Sequence, residues 1–258
     1  MPHLSLTLLN TLRRGAHQLS PQALLSVRAY VESQRTKSEA FIDRNAKPDL
    51  YYTLFGWALC HAIDIPTNSH QRAVFLDSHH PTRLDPLHLT VLTLCRQLHR
   101  LLDMPRIVPL RLLALVADDT PLLNFFNAYQ QHGSGEGTNA WAARLAAPAA
   151  PAPSAFAVGK APTATVTDGF AVGKALLAMQ HPTGGFLAHR SAPMPDMLST
   201  AVALFALTNN GIKPRYDARP FIEAHWLNDG SFAATLLDDH GDTEYQFYGL
   251  LALGCLDT

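Results

Sequence analysis

The stretch that decides the fold is HPTGGFLAHRSAPMPDMLSTAVALFAL, residues 181–207. Two glycines, Gly184 and Gly185, predict that a helix ends in a tight reversal, because glycine tolerates the left-handed conformation that such turns require. Phe186 follows them and is expected to fill the gap between adjacent helix pairs. Asp196 then opens a long apolar run, where its carboxylate can accept hydrogen bonds from the unpaired N–H groups of a helix N-terminus. The stretch therefore predicts the corner of a helical hairpin.

An aromatic turn, a polar loop, an aspartate and an apolar helix follow one another in the same order three times. The copies are AFIDRNAKPDLYYTLFGWAL around Phe41, GGFLAHRSAPMPDMLSTAVALFAL around Phe186 and DGSFAATLLDDHGDTEYQFYGLLAL around Phe232. The last two phenylalanines are 46 residues apart and the first two 145, close to three such steps, which predicts two degenerate copies in between. Periods of this length are typical of stacked units that cover one another's apolar faces.

The rest of the chain also has helical periodicity, and strand patterns are nearly absent, so we predict an all-α fold in a single domain, residues 1–258. An Ala/Pro-rich stretch, residues 143–168, has four prolines between 148 and 162 and is predicted to be a loop or linker. Helical periodicity predicts further helices at residues 20–33, 85–102, 106–117, 120–129, 168–180 and 217–227.

The composition narrows the functional classes. With 47% hydrophobic and 16% charged residues the chain can bury a large core, and 20 basic against 21 acidic residues give no general attraction to nucleic acid. Cys60, Cys95 and Cys255 lack disulfide or zinc-site spacing, which favours buried free thiols in a reducing compartment. The N-terminus is unlike a signal peptide and no apolar run approaches the ~20 residues of a transmembrane helix, so we expect a cytoplasmic protein.

The repeated segments resemble those of the protein prenyltransferase β-subunits and of the squalene and oxidosqualene cyclases. The resemblance lies in QHPTGGF followed by PDMLSTAVALFALTNNG, in KPDLYYTLFGWALCHAIDI and in HWLNDGSF. It implies an α/α toroid, in which inner and outer helices alternate around an apolar cavity that accepts an isoprenoid, here a short or incomplete barrel of about five helical hairpins. Since the β-subunits work beside a helical α-subunit, it also implies a protein partner.

The catalytic residues of those families are only partly matched. Asp196 stands where the transferases have a zinc-binding aspartate, but Leu198 and Tyr245 stand where a cysteine and a histidine would complete the site. A single carboxylate falls short of the usual four zinc ligands, so we expect any activity to be zinc-independent. The DxDD acid motif of the cyclases is missing, and capping alone accounts for Asp196.

The run LLDDHGD supplies the remaining acidic candidates, Asp238, Asp239 and Asp242. It matches the DDxxD pattern with which other terpenoid enzymes hold magnesium, and carboxylate oxygens suit that ion. Acidic residues are also common in a solvated loop before a helix, which is the alternative interpretation. We therefore predict no cofactor, with magnesium at this run as the alternative.

The loops of the first two copies supply candidates for holding a diphosphate, as the resemblance implies. FIDRNAKPDLYYT contains Arg44, Lys47 and Tyr52, and GGFLAHRSAPMPD contains His189 and Arg190. Arginine can clamp phosphate oxygens with paired donors, although exposed loops carry basic side chains for solubility as well. Aromatic residues on the expected inner helices would contact the isoprenoid. They are Tyr51, Tyr52, Phe55, Trp57, Phe205, Tyr245, Phe247 and Tyr248.

Two functions are consistent with these features. The first is a transferase-like or cyclase-like protein that binds an isoprenoid or its diphosphate in a central apolar cavity. The alternative is a catalytically inactive toroid that serves as a binding or scaffold module, because the fold can persist after catalytic residues are lost.

Overall fold

A computed structural model describes residues 4–104, 119–122, 138, 142 and 169–256. This part of the chain is mostly helical, which confirms the all-α prediction. A short antiparallel pair, β1 (Phe41–Ile42) with β2 (Pro48–Asp49), and a 3-10 turn at Pro81–Arg83 accompany the helices. The α-helices are α1 (Leu4–His17), α2 (Pro21–Ser33), α3 (Leu50–Ala62), α4 (Ser69–Asp77), α5 (Pro86–Leu102), α6 (Gly169–Leu177), α7 (Met197–Asn209), α8 (Arg219–Ala224) and α9 (Thr243–Gly254).

The helices predicted at 20–33, 85–102 and after each repeat aspartate are confirmed, whereas α1 and α4 were not predicted. The predictions for 106–117, for most of 120–129 and for the Ala/Pro-rich stretch lie outside the described residues. Within those described residues, every helix is too short or too polar to cross a bilayer.

The turns around the three repeat phenylalanines have the same backbone geometry. In each, the N–H after the phenylalanine donates to the carbonyl eight residues earlier, at 2.9–3.0 Å. The residue two before the phenylalanine has a positive φ: 64° at Glu39, 95° at Gly184 and 87° at Gly230. The aromatic rings are almost completely buried. The three segments are therefore copies of one structural unit, as the sequence predicts.

The prediction that Gly184 and Gly185 end the preceding helix is wrong in detail. That helix, α6, ends at Leu177, and the glycines lie in the turn beyond it. The chain leaves the helix earlier because Gln180 pairs with Phe186 across the turn. Gly184 is required where it lies, since an added Cβ would come within 2.0 Å of the carbonyl oxygen of Asp217.

The repeat aspartates Asp49, Asp196 and Asp242 cap the helices that follow them, as predicted. In each copy Oδ1 accepts the backbone N–H three residues on, at 2.7–2.9 Å. In the first two copies a threonine, four residues after the aspartate, ties this cap to the aromatic turn. Thr53 and Thr200 accept the N–H of their phenylalanine at 2.9 Å and donate to the carbonyl of their aspartate. Helix start and turn are thus held as one unit.

The third copy departs from this pattern at Gln246, which replaces the threonine. Its side chain is fully buried, and both its amide oxygen and nitrogen lack a hydrogen-bond partner among the described residues. Seven residues after each aspartate the side chain is small in all three copies. A Cβ at Gly56 would lie 2.2 Å from the ring of Phe41, and one at Gly249 would lie 2.3 Å from that of Phe232. Each ring therefore packs directly on the backbone of its own helix.

The helices that follow the repeat aspartates lie side by side. Helix α7 packs against α9, α9 against α3, and α3 against α5. The last copy is thus the neighbour of the first. Helix α1 crosses α9 so closely that a Cβ at Gly15 or Gly254 would collide with the opposite backbone. The start of α1 is held by Asp119, whose carboxylate accepts the N–H groups of Leu4 and Ser5 at 2.7 and 3.0 Å.

We predict opposite effects on stability from two substitutions at the same position of the repeat. Thr200→Val leaves the buried N–H of Phe186 without its acceptor and should lower the free energy of unfolding by about 1–3 kcal/mol. Gln246→Thr removes an unpaired buried amide and restores the hydroxyl of the other copies, so it should raise that free energy by about 1 kcal/mol. Urea denaturation followed by circular dichroism measures both. As a control, Thr93→Val at an exposed position should change the free energy of unfolding by less than about 0.5 kcal/mol. An equal loss in Thr93→Val and Thr200→Val would contradict the role of Thr200 as the acceptor for the Phe186 N–H.

Candidate functional site

Positions two, three and six after each repeat aspartate share one face of the helix, because they fall within about 100° of rotation. On α3 and α9 this face is mainly aromatic, and the two helices meet there. Phe55 lies 5.7 Å from Tyr248 and 5.0 Å from Phe247, measured between ring centroids. Edge and tilted contacts of this kind stabilise the packing of aromatic rings. We call these aromatic residues, together with Phe247 at position five of α9, the aromatic seam: Tyr51, Tyr52, Phe55, Tyr245, Phe247 and Tyr248.

An ion pair lies at one end of the aromatic seam. Arg44 is carried by the turn between β1 and β2, where the Asp43 carboxylate accepts the backbone N–H of Asn45 and Lys47 at 2.8 and 2.9 Å. From there its Nε donates to Oδ2 of Asp242 at 2.8 Å, and the guanidinium lies 5.6 Å from the ring centroid of Tyr245. The Arg44 side chain is 58% exposed but that of Asp242 only 7%. The pair therefore joins the loop of the first copy to the helix cap of the third.

A second polar contact crosses the seam beside this ion pair. The hydroxyl of Tyr51 donates to Oε1 of Glu244 at 2.7 Å. Burial raises the pKa of the Glu244 carboxyl to about 8, the nearby charge of Asp242 adds to the rise, and Arg44 partly offsets it. At neutral pH this carboxyl consequently holds a proton in most molecules and can donate a hydrogen bond.

The phenols of Tyr52 and Tyr245 stay protonated over the whole physiological range. Burial and the charge of Asp242 raise the pKa of Tyr52 to about 12, and burial and Glu244 raise that of Tyr245. Both tyrosines are half-buried, so their rings and hydroxyls can face a ligand. The site thus presents aromatic faces together with neutral hydrogen-bonding groups.

Four of the predicted ligand-binding residues, Arg44, Tyr52, Tyr245 and Tyr248, come together at the aromatic seam. Lys47 lies in the same turn as Arg44 with an exposed side chain, and its backbone closes that turn. The structure thus brings this subset of the predicted residues into one place.

The remaining predicted ligand-binding residues lie elsewhere. Trp57 is completely buried, where its Nε1 donates to the carbonyl of Glu39 at 2.8 Å and its ring packs on Phe75. Its role is packing against α4, a correction to the ligand contact expected from sequence. His189 and Arg190 are exposed in the loop of the second copy.

The acidic candidates have separate partners. Asp196 caps α7, and burial raises the pKa of its carboxyl. Asp238 accepts the N–H and the hydroxyl of Thr235, both at 2.9 Å, whereas Asp239 is exposed beside His240. With Asp242 bound to Arg44, the run does not converge on one ion, and the described ranges contain no cluster of three metal-ligating side chains. The geometry of this run therefore does not favour a magnesium site.

Sequence reasoning missed Glu244, although a signal was present. Glu244 occupies the position two residues after the aspartate, where the other copies have Tyr51 and Leu198. A carboxyl at a repeat position that is apolar or aromatic in the other copies indicates a half-buried acid. The three cysteines are buried thiols that form no disulfide with one another, as expected.

Comparison of the chain with protein-family models, with curated proteins and with solved structures finds no match.

The raised pKa of Glu244 predicts how stability depends on pH. Between about pH 4.5 and 8 the folded chain keeps a proton that the unfolded chain releases, so the free energy of unfolding contributed by Glu244 falls as the pH rises through this window. The fall is at most about 1.4 kcal/mol for each pH unit. Glu244→Gln cannot ionise, so the difference between wild type and this variant should shrink or reverse from pH 5 to pH 8 in urea denaturation.

Asp239→Asn is the matched control for this prediction. The pKa of Asp239 lies below its ordinary value because His240 hydrogen-bonds to its carboxylate, so it stays ionised from pH 5 to pH 8. This variant should follow the wild-type slope. Parallel curves for wild type and Glu244→Gln would show that the Glu244 carboxyl is ionised throughout.

Proposed function

We propose that the chain binds an isoprenoid chain along the aromatic seam, inside a ring of helical hairpins of the α/α-toroid kind. One observation supports this proposal most directly: the type of side chain at each position of α3 and α9 follows the direction in which the repeat turns that position. Aromatic side chains of α3 and α9 meet, Phe55 with Phe247 and Tyr248, whereas Thr53, Gly56 and Gly249 face the turns of their own copies. Aromatic faces suit the alternating methyl groups and double bonds of an isoprenoid and stabilise cationic character near it.

The order of the helices supports the ring. Helices α7, α9, α3 and α5 are successive neighbours, although α7 and α9 come last in the chain. The second residue after a repeat phenylalanine also accepts a hydrogen bond from the preceding unit: Ala234 from the N–H of Met197 at 2.9 Å, and Ala188 from that of Thr138 at 2.8 Å. Thr138 thus has the place of a helix start in a further copy, between α5 and α7.

The reaction, if one occurs, would be independent of zinc. Leu198 and Tyr245 are the residues that interrupt the zinc site of the resembling transferases, and both are half-buried and packed against the core. A scaffold without catalysis remains the second candidate, favoured by that loss and by the separate partners of the acidic run.

We predict that farnesol or farnesyl diphosphate is retained by the protein in native mass spectrometry without added zinc. Tyr52→Ala and Tyr245→Ala remove ring area from the half-buried face and should each weaken binding about tenfold or more, since burying an aromatic side chain against an apolar ligand contributes ~1–3 kcal/mol. Tyr216→Ala is the matched control, because Tyr216 is exposed in the loop before α8. If neither ligand is retained, the scaffold alternative replaces this proposal.

A further inference from the structure

The loops that precede α3, α7 and α9 lie at one end of these helices. Arg44, in the loop of the first copy, binds Asp242 at the start of α9. In the loop of the third copy, the carbonyl of Ala234 accepts the N–H of Met197 at the start of α7. We call the three loops together the rim: residues 43–48, 188–195 and 234–241.

The second and third loops of the rim contain the same tight turn. In each turn the N–H of the last residue donates to the carbonyl of the first, at 2.9 Å in 189–192 and at 3.1 Å in 235–238. The central residues of the second-copy turn are Arg190 and Ser191, both polar and exposed. The third copy has two leucines at these positions. The turn itself therefore does not require apolar side chains at its tip.

Leu236 and Leu237, the central residues of the third-copy turn, are the most exposed large apolar side chains in the described part of the chain, at 64% and 79%. The turn is held by Asp238, whose Oδ2 accepts the N–H and the hydroxyl of Thr235, both at 2.9 Å. Single exposed leucines are common on protein surfaces. Two adjacent leucines that are held in water by a fixed turn indicate a contact site.

The size of this apolar tip favours a lipid surface over a protein partner. Two leucine side chains offer far less area than the ~800 Å² per partner that a stable protein interface buries. The side chains that follow, Asp239 and His240, are polar and 91% and 88% exposed, so the tip does not continue into a larger apolar face. Binding to a lipid surface scales with the apolar area that is inserted and needs no complementary pocket.

The charges of the rim indicate which lipid surface it fits. Besides two histidines, its three loops carry three basic and three acidic side chains. They are Arg44, Lys47, Arg190, Asp43, Asp238 and Asp239. This balance gives no general attraction to an anionic surface. Groups of both signs do complement a zwitterionic headgroup, which carries a phosphate and an ammonium.

We propose that Leu236 and Leu237 insert into the surface of a zwitterionic membrane, so that the rim faces the lipid. The inference rests on the proposed function and extends it, because an isoprenoid chain is apolar and partitions into lipid. The membrane is then the source from which the seam takes its ligand. The two leucines attach the protein, and the seam contacts the ligand.

Flotation with phosphatidylcholine vesicles tests the attachment. Wild type should float with the vesicles, whereas the double variant Leu236→Ser with Leu237→Ser should bind at least about tenfold more weakly, the minimum that burial of two largely exposed leucines supplies. Leu25→Ser is the matched control, because Leu25 is 61% exposed on α2, outside the rim, and this variant should bind like wild type. Circular dichroism verifies that each variant folds.

Two further measurements distinguish insertion from attraction by charge. Added phosphatidylserine or raised salt should change wild-type binding less than about twofold, since salt screens charge attraction but not apolar burial. Phosphatidylcholine with brominated tails should quench the added tryptophan in Leu237→Trp. The same lipid should leave the added tryptophan in Leu25→Trp unquenched.

Absence of wild-type binding to phosphatidylcholine, equal binding of the double variant, or binding that requires phosphatidylserine would overturn the inference. A wild-type dimer that the double variant loses, measured by light scattering, would assign the leucines to a second copy of the chain and would overturn it as well.

Ligand retention separates this inference from the function on which it rests. The double variant should retain farnesol in native mass spectrometry as wild type does, because its seam is unchanged. Retention that is lost only in the double variant would make the leucines part of the ligand site and overturn the inference. Failure of wild type to retain any isoprenoid would overturn the proposed function, whatever the vesicles show.

Discussion

The structure depends on the coupling between an aromatic turn and the start of the helix that follows it. The aspartate accepts an N–H from the first turn of the helix, and a threonine one turn on binds both the aspartate carbonyl and the phenylalanine N–H. This arrangement satisfies backbone donors that would otherwise be buried unpaired. It also fixes the rotation of each helix about its axis. Because the phenylalanine must lie over the small residue at the seventh position, the positions two, three and six after the aspartate face the neighbouring helices.

In the first copy a glutamate, Glu39, stands at the turn position where the other copies have glycine. Glu39 has a φ of 64°, a conformation that costs free energy for a side chain with a Cβ. Three contacts hold it there: its carbonyl accepts from Trp57, and its carboxylate accepts from the N–H of Asn68 and from Arg35. The side chain thus connects the turn to α3 and to the segment that leads into α4, and these contacts offset the strained backbone.

The sequence predicted the features that arise from neighbouring residues. The helix caps at Asp49, Asp196 and Asp242 are local, and so is the turn around each phenylalanine, which is why pattern alone located them. The contacts that build the seam join residues 198 positions apart for Arg44 and Asp242, and 193 apart for Tyr51 and Glu244. They depend on the third copy lying next to the first, which a repeat spacing does not specify. Trp57 was assigned to the wrong face because α3 is apolar almost all round, so its sequence has no polar side to show which residues face inward.

The charge arrangement at the seam follows from the same register. Asp242 caps α9 and pairs with Arg44, and the charge of a second carboxylate two residues later would be unpaired in a half-buried place. Burial and the charge of Asp242 therefore raise the pKa of Glu244, and its protonated carboxyl can donate a hydrogen bond. At these register positions the chain has an apolar side chain at Leu198 of α7, and a carboxyl at Glu244 and a phenol at Tyr245 of α9. The repeat thus holds these positions in one register while their chemistry differs from copy to copy.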